Sequence, residues 1–382
     1  MDTPLVASRP ADLLAYVPYR LGYRPRDSVV VISLQAARGA VGLVVRADIA
    51  DLVAEPGGPA LARAVATHVL RDDPRDVVVV AYGDDQGAAV RGAGMLTHAL
   101  GQLVPDVAVA ARWHVTSTGY RGLACADPEC CPPEGRPLAD LDASPVAADL
   151  VYAGVAVASS REAAYALAPA DPARRAAALR AARRWAARRG ELGVRAWRRA
   201  SLRAWWDVHA AVAAADPRVA VQPAVVRVAA ARIGRVAAGL NDPMVRDAVL
   251  LTVLPTGDPG LPDRLLDAAS TGVGLAALDD ATAAVSLLVD PEQGVPPDPD
   301  AARVARAAAE LVAAHARADG HAYALGLAAA LAWWQGDGGL AGARADRALE
   351  VGPDHGLARL VADALDRGIG PGWARAAHLA VR

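Results

Sequence analysis

The chain has 382 residues, 54% of them hydrophobic, and a formal net charge of -2. That composition supports a sizeable core spread over two or three domains and excludes a disordered chain, while the near-neutral balance removes any global pull toward polyanions or membrane surfaces. Phe and Lys are absent, Asn241 is the single asparagine and 93 residues are alanine, a profile expected of GC-rich coding bias in which Ala replaces larger apolar residues and Arg replaces Lys.

The first 125 residues alternate between strand and helix signals. Val29–Leu34 and Val41–Arg46 are β-branched runs joined by a turn at Gln35–Ala40, which predicts a hairpin. Leu61, Val65, His68 and Val69 recur at helical spacing until Asp72-Asp73-Pro74 ends the helix. Asp76–Tyr82 is the clearest strand, apolar throughout as a strand covered on both faces should be. A helix over 88–103 and a strand over 107–115 follow. The fold class is therefore a mixed α/β N-terminal domain, with a hairpin and parallel crossovers, followed by an all-α region.

Beyond residue 145 the strand signals stop. Helices are expected over 146–158, 172–190, 194–215, 223–238, 243–253 and 262–278. The segment Asp290–Asp300, with four prolines and four acids, reads as a linker. Three more amphipathic patterns follow, carried by Val304 to His315, Tyr323 to Trp334 and Leu357 to Leu365. Gly336, Ala341, Ala348 and Pro353 have the spacing of the second half of a tetratricopeptide repeat, so a tetratricopeptide-like C-terminal hairpin is expected. The expected domains are 1–145 with a cysteine-proline loop, 146–290 helical, and 298–382 as helical hairpins.

Met1–Pro10 lacks the cationic and apolar regions of a signal peptide, and no window reaches about 18 uninterrupted apolar residues. Three cysteines confined to 125–131 cannot frame the chain with disulfides. Together these point to a cytoplasmic protein without a membrane segment.

Ser8–Ser28, running into the Val29 strand, resembles the opening of an actinobacterial family known only as domain of unknown function 4192. Cys125-Ala-Asp-Pro-Glu-Cys-Cys-Pro-Pro-Glu-Gly135 is similar to that family's cysteine-proline loop, and Gly336-Asp-Gly with Ala348, Leu349 and Pro353 to its C-terminal end. Ile49-Ala50 stand where the resemblance calls for Leu-Pro, and His355 where it calls for an aromatic residue. The resemblance implies no activity, cofactor or partner.

Three constellations carry chemistry. Cys125, Cys130 and Cys131, with His114 as a fourth group, are candidate zinc ligands; redox activity and simple packing of the loop are the alternatives. Eleven arginines between residues 172 and 203, against Glu191 alone, with Trp185, Trp197, Trp205 and Trp206 interleaved, have the look of a nucleic-acid surface. The eleven acids of residues 240–300 offset them, so an intramolecular ion-pair lattice is the expectation, and nucleic acid is not an expected partner. Motif chemistry is sparse: a lysine-free chain has no Walker loop, and no nucleophile elbow occurs.

Topology gives the last. If the hairpin is antiparallel and a helical crossover sets the Val77 strand parallel to its second strand, Arg24, Arg26, Asp27 and Ser28 meet Arg46 and Asp48 and also Asp84 and Asp85 at one sheet edge. His114 joins them if the fourth strand is parallel too. The cysteine loop is expected at the opposite edge. The cluster is either a structural ion-pair network or a site for a small anionic ligand held by arginines. The leading expectation is thus a non-catalytic binding or scaffolding protein, with the C-terminal helices as a surface for a protein partner. The alternative is an enzyme acting on a phosphorylated or carboxylated small molecule.

Overall fold

The computed structural model describes residues 9–35, 41–103, 107–215 and 226–379. The expected turn at 36–40 and the first residues of the helix expected over 223–238 lie outside the described residues. The chain divides into two compact units, Met1–Ala166 and Leu167–Arg382.

The N-terminal unit opens with α1 (Pro10–Leu21), seated by Pro10 and by the Asp12 carboxylate, which accepts the Arg9 N–H at 3.0 Å. Gly22 ends α1 at φ 79, where the left-handed turn needs a residue without a Cβ. β1 (Ser28–Leu34) and β2 (Val41–Asp48) pair antiparallel, and short α2 (Ile49–Leu52) leads to α3 (Gly58–Arg71). β3 (Asp76–Tyr82), α4 (Gln86–Leu103) and β4 (Ala108–Val115) form a parallel crossover pair, the one such strand pair among the described residues. β5 (Gly119–Gly122) and β6 (Arg136–Pro137) continue the sheet antiparallel, followed by α5 (Ala139–Asp142), α6 (Pro145–Tyr152) and α7 (Arg161–Tyr165).

Sheet order is β2-β1-β3-β4-β5-β6. β3 points the same way as β2 but lies beside β1, so the two are parallel without being neighbours. Alternation along the strands feeds two cores. Val29, Val31, Val77 and Val79 pack with α3 and α4 through Val65, Val69, Leu96 and Leu100. On the opposite face, Val30, Ile32, Val78 and Val80 pack with Leu14 and Val17 of α1. β1 and β3 are buried on both faces, which explains their uninterrupted β-branched sequence.

The second unit is helical: α8 (Pro172–Ala187), α9 (Arg189–Leu192), α10 (Val194–Ala213), α11 (Ala230–Gly239), α12 (Pro243–Leu251), α13 (Leu261–Thr271), α14 (Ala276–Val289), α15 (Pro299–His315), α16 (Ala318–Trp334), α17 (Gly338–Val351), α18 (Gly356–Asp366) and α19 (Gly372–Leu379). The single helix expected over 262–278 is two, because Gly272 at φ 69 terminates α13 and the chain restarts at Ala276. α15, α16, α17 and α18 pack in succession, as linked hairpins do. α16 is their centre, buried at every position from 324 to 334. His355 does the work of an aromatic residue, its ring 4.6 Å from that of Tyr323 while its Nδ1 caps α18 at Ala358.

The arginine-rich helices are tied to acids within the same unit. Asp242, almost wholly buried, accepts from Arg189 and Arg198, and Asp267 accepts from Arg195 and Arg199. Trp185, Trp197 and Trp205 are core residues, the first two stacked with centroids 6.2 Å apart, and Trp206 is the exposed one. No helix among the described residues is long and apolar enough to cross a membrane.

Candidate functional site

The sheet register aligns the ends of four strands. Ser28 lies opposite both Asp48 and Tyr82, and Tyr82 lies opposite Val115. The edge therefore gathers the start of β1 with the ends of β2, β3 and β4, the side on which open α/β sheets bind ligands.

The candidate residues divide on closer inspection. Arg46 and Asp48, two apart on β2 and so on one face, form a bidentate pair with one bond of 2.9 Å, and Arg161 approaches Asp48 at 4.0 Å. Tyr23 and Tyr165 pack edge-to-face beside them, and burial raises the Tyr23 phenol. Arg24 turns away to Asp142 at 3.2 Å. Asp27 takes the left-handed φ of 43 that aspartate tolerates, and its carbonyl accepts the Ile49 N–H at 2.9 Å. The Ser28 hydroxyl is buried and partnerless among the described residues. Asp85 caps α4 by accepting the Ala88 N–H at 2.9 Å.

Asp84 stands elsewhere. It lines a cleft of about 370 Å³ with Gln86, His114, the turn Thr116–Gly119, Tyr120, Arg121 and Pro133–Gly135. Its carboxylate accepts the Ser117 N–H at 2.7 Å, and that bond holds its carboxyl below the usual carboxylate range, with the Ser117 hydroxyl and Arg26 acting in the same direction. The Thr116 hydroxyl accepts the N–H groups of Thr118 and Gly119. The N–H groups of Ser117, Thr118 and Gly119 are thus spent within the protein. His114, buried at the end of β4, donates from Nε2 to the Gly83 carbonyl at 2.8 Å, and its Nδ1 is buried without a partner among the described residues. Burial raises the Tyr120 phenol on the adjacent strand. Glu134 and Asp84 against Arg121 give the lining an excess of negative charge.

The cysteine loop corrects an expectation. β5 is only four residues long, so the chain leaves it at Gly122 and returns at β6 beside Tyr120. Pro133–Gly135 consequently wall the cleft, and the loop is not confined to the opposite edge. A family model described as Domain of unknown function (DUF4192) matches residues 10–372, a span that includes this edge, the cysteine loop and most of the helical unit. The chain belongs to that family. No curated protein and no solved structure matches it.

Within that family span, Cys125, Cys130 and Cys131 are all free thiols. His114 does not join them, being committed to Gly83. The residues that sequence reasoning did not single out are Gln86, Thr116–Gly119, Arg121 and Glu134. The signal available was the Thr-Ser-Thr-Gly run, whose hydroxyls compete for backbone N–H groups and favour a tight turn.

Proposed function

We propose that the protein is a non-catalytic binding protein whose N-terminal unit takes a small, donor-rich, non-anionic ligand, hydroxylated or ammonium-bearing, in the cleft at the ends of β3, β4 and β5. The observation that carries this reading is the lining: Asp84 and Glu134 present carboxylates, while the Ser117, Thr118 and Gly119 N–H groups that would cradle an anion are already bonded. Arg46 and Arg24, the cations expected to hold an anion, are paired with Asp48 and Asp142 outside the cleft. Binding rather than turnover is supported by His114, the one imidazole at the cleft, whose two nitrogens are respectively bonded and buried and so out of reach of a ligand proton. Three cysteines confined to residues 125–131 cannot supply a disulfide framework for the chain, which favours a cytoplasmic setting.

A thermal-shift screen tests this with polyols, sugars and amines alongside nucleotides and phosphorylated or carboxylated metabolites. At a hundredfold excess over Kd a true ligand adds about 2.7 kcal/mol to stability. The expected hits are neutral or cationic, and they vanish in Asp84→Asn. Hits confined to anions, or unchanged in Asp84→Asn, refute the reading.

A further inference from the structure

We infer that Cys125, Cys130 and Cys131 form a three-thiolate site for a thiophilic metal ion, Zn²⁺ in the first instance, with the fourth coordination position left to solvent. Among the described residues they are the one group of three or more metal-ligating side chains that converge, their sulfur atoms all within 4.8 Å of one another. Thiolates held at about 2.3 Å around a tetrahedral ion stand about 3.8 Å apart, so an adjustment of roughly 1 Å closes the set. Adjacent cysteines in an extended chain point to opposite sides; here the loop bends enough to bring Cys130 and Cys131 to one point together with Cys125.

Hydrogen bonds from groups other than the sulfurs contribute to that bend. Cys131 N–H donates to the Asp127 carbonyl at 2.8 Å, the Asp127 carboxylate accepts the Glu129 N–H at 2.9 Å, and Arg136 Nε reaches the Cys130 carbonyl at 2.7 Å. Pro132 and Pro133 stiffen the exit. Gly122 N–H donates to Cys131 Sγ at 3.3 Å, which fixes the position of that sulfur within the group. Cys125 and Cys130 are exposed, so an ion and a solvent ligand have access. Three sulfurs without a nitrogen or oxygen partner make a soft donor set, suited to zinc and not to magnesium or calcium. Binding transfers the three thiol protons to solvent and leaves the complex with one net negative charge, beside the Arg136 guanidinium.

The test uses the full-length reduced protein with Zn²⁺ and Co²⁺ as probes. Competition against a chromophoric chelator should give about one Zn²⁺ per chain. Co²⁺ should produce a sulfur-to-cobalt charge-transfer band and the intense visible bands of a tetrahedral site, and Zn²⁺ should shield all three thiols from alkylation. Cys125→Ser and Cys130→Ser, both at exposed positions, should keep the fold by circular dichroism and lose the cobalt spectrum. A featureless cobalt spectrum with the wild-type chain, retention of metal in the serine variants, or air oxidation to a disulfide without metal uptake under reducing conditions would each overturn the proposal.

Discussion

Arginine serves different ends in the two units. In the helical unit it cross-links: Arg189 and Arg198 converge on Asp242, and Arg195 and Arg199 on Asp267, so a basic stretch and an acidic stretch neutralise each other. At the sheet edge, Arg46 and Arg24 are each matched to one acid, and the cleft is lined instead by Asp84, Glu134, Arg121 and hydroxyls. Charge density along the sequence therefore marks the part of the molecule that is closed by its own ion pairs. The cleft lies outside those ion pairs, where the turn's N–H groups at Ser117, Thr118 and Gly119 are already satisfied.

The sharpest way to break this contrast is Asp242→Ala. Asp242 is buried, caps α12 through Met244 and Val245, and partners an Arg198 that is only 11% exposed. Its loss leaves a nearly buried guanidinium uncompensated, and urea unfolding should register about 3 kcal/mol or more of destabilisation. A change below about 1 kcal/mol would mean the lattice is ornamental.

Acid should separate the units next. His209, His315, His321 and His355 all lie in the helical unit, and burial depresses each of them. A histidine whose folded pKa lies below its unfolded value of about 6.5 is neutral in the fold, so its contribution is intact above that value. That contribution declines as pH falls from about 6.5 toward the folded pKa. Thermal melts between pH 7.5 and 5 should fall with acid, and His315→Gln should flatten the slope; a pH-independent melt contradicts the assignment.

A smaller effect is expected from Arg46→Ala. Asp48 is 37% exposed, so solvent screening limits the pair to about 1 kcal/mol, and binding in the cleft should be unaffected because Arg46 does not line it. Loss of binding without loss of stability would move the site to β2.

How far the sequence discloses this depends on the length of each element. β3 is legible to the residue because the five consecutive apolar positions between Asp76 and Tyr82 leave no other reading. The ion-pair lattice is legible as well, from two opposed charge blocks. β5 and β6, of four and two residues, have no alternation to detect, and they are the strands that carry the cysteine loop back to the cleft. α1 is masked by Pro18 in its interior. Convergence of Cys130 with Cys131 depends on a loop bend set by the Asp127 carbonyl and Arg136, information that spacing alone does not hold.

The central claim is that ligand chemistry belongs to the sheet edge and not to the helical unit. Hydrogen exchange with and without the strongest stabilising compound from the screen tests it most directly. The account predicts slowed exchange at 83–86, 116–121 and 133–135, with residues 167–379 unchanged. Protection centred on the helical unit, with the cleft segments unaffected, would contradict it.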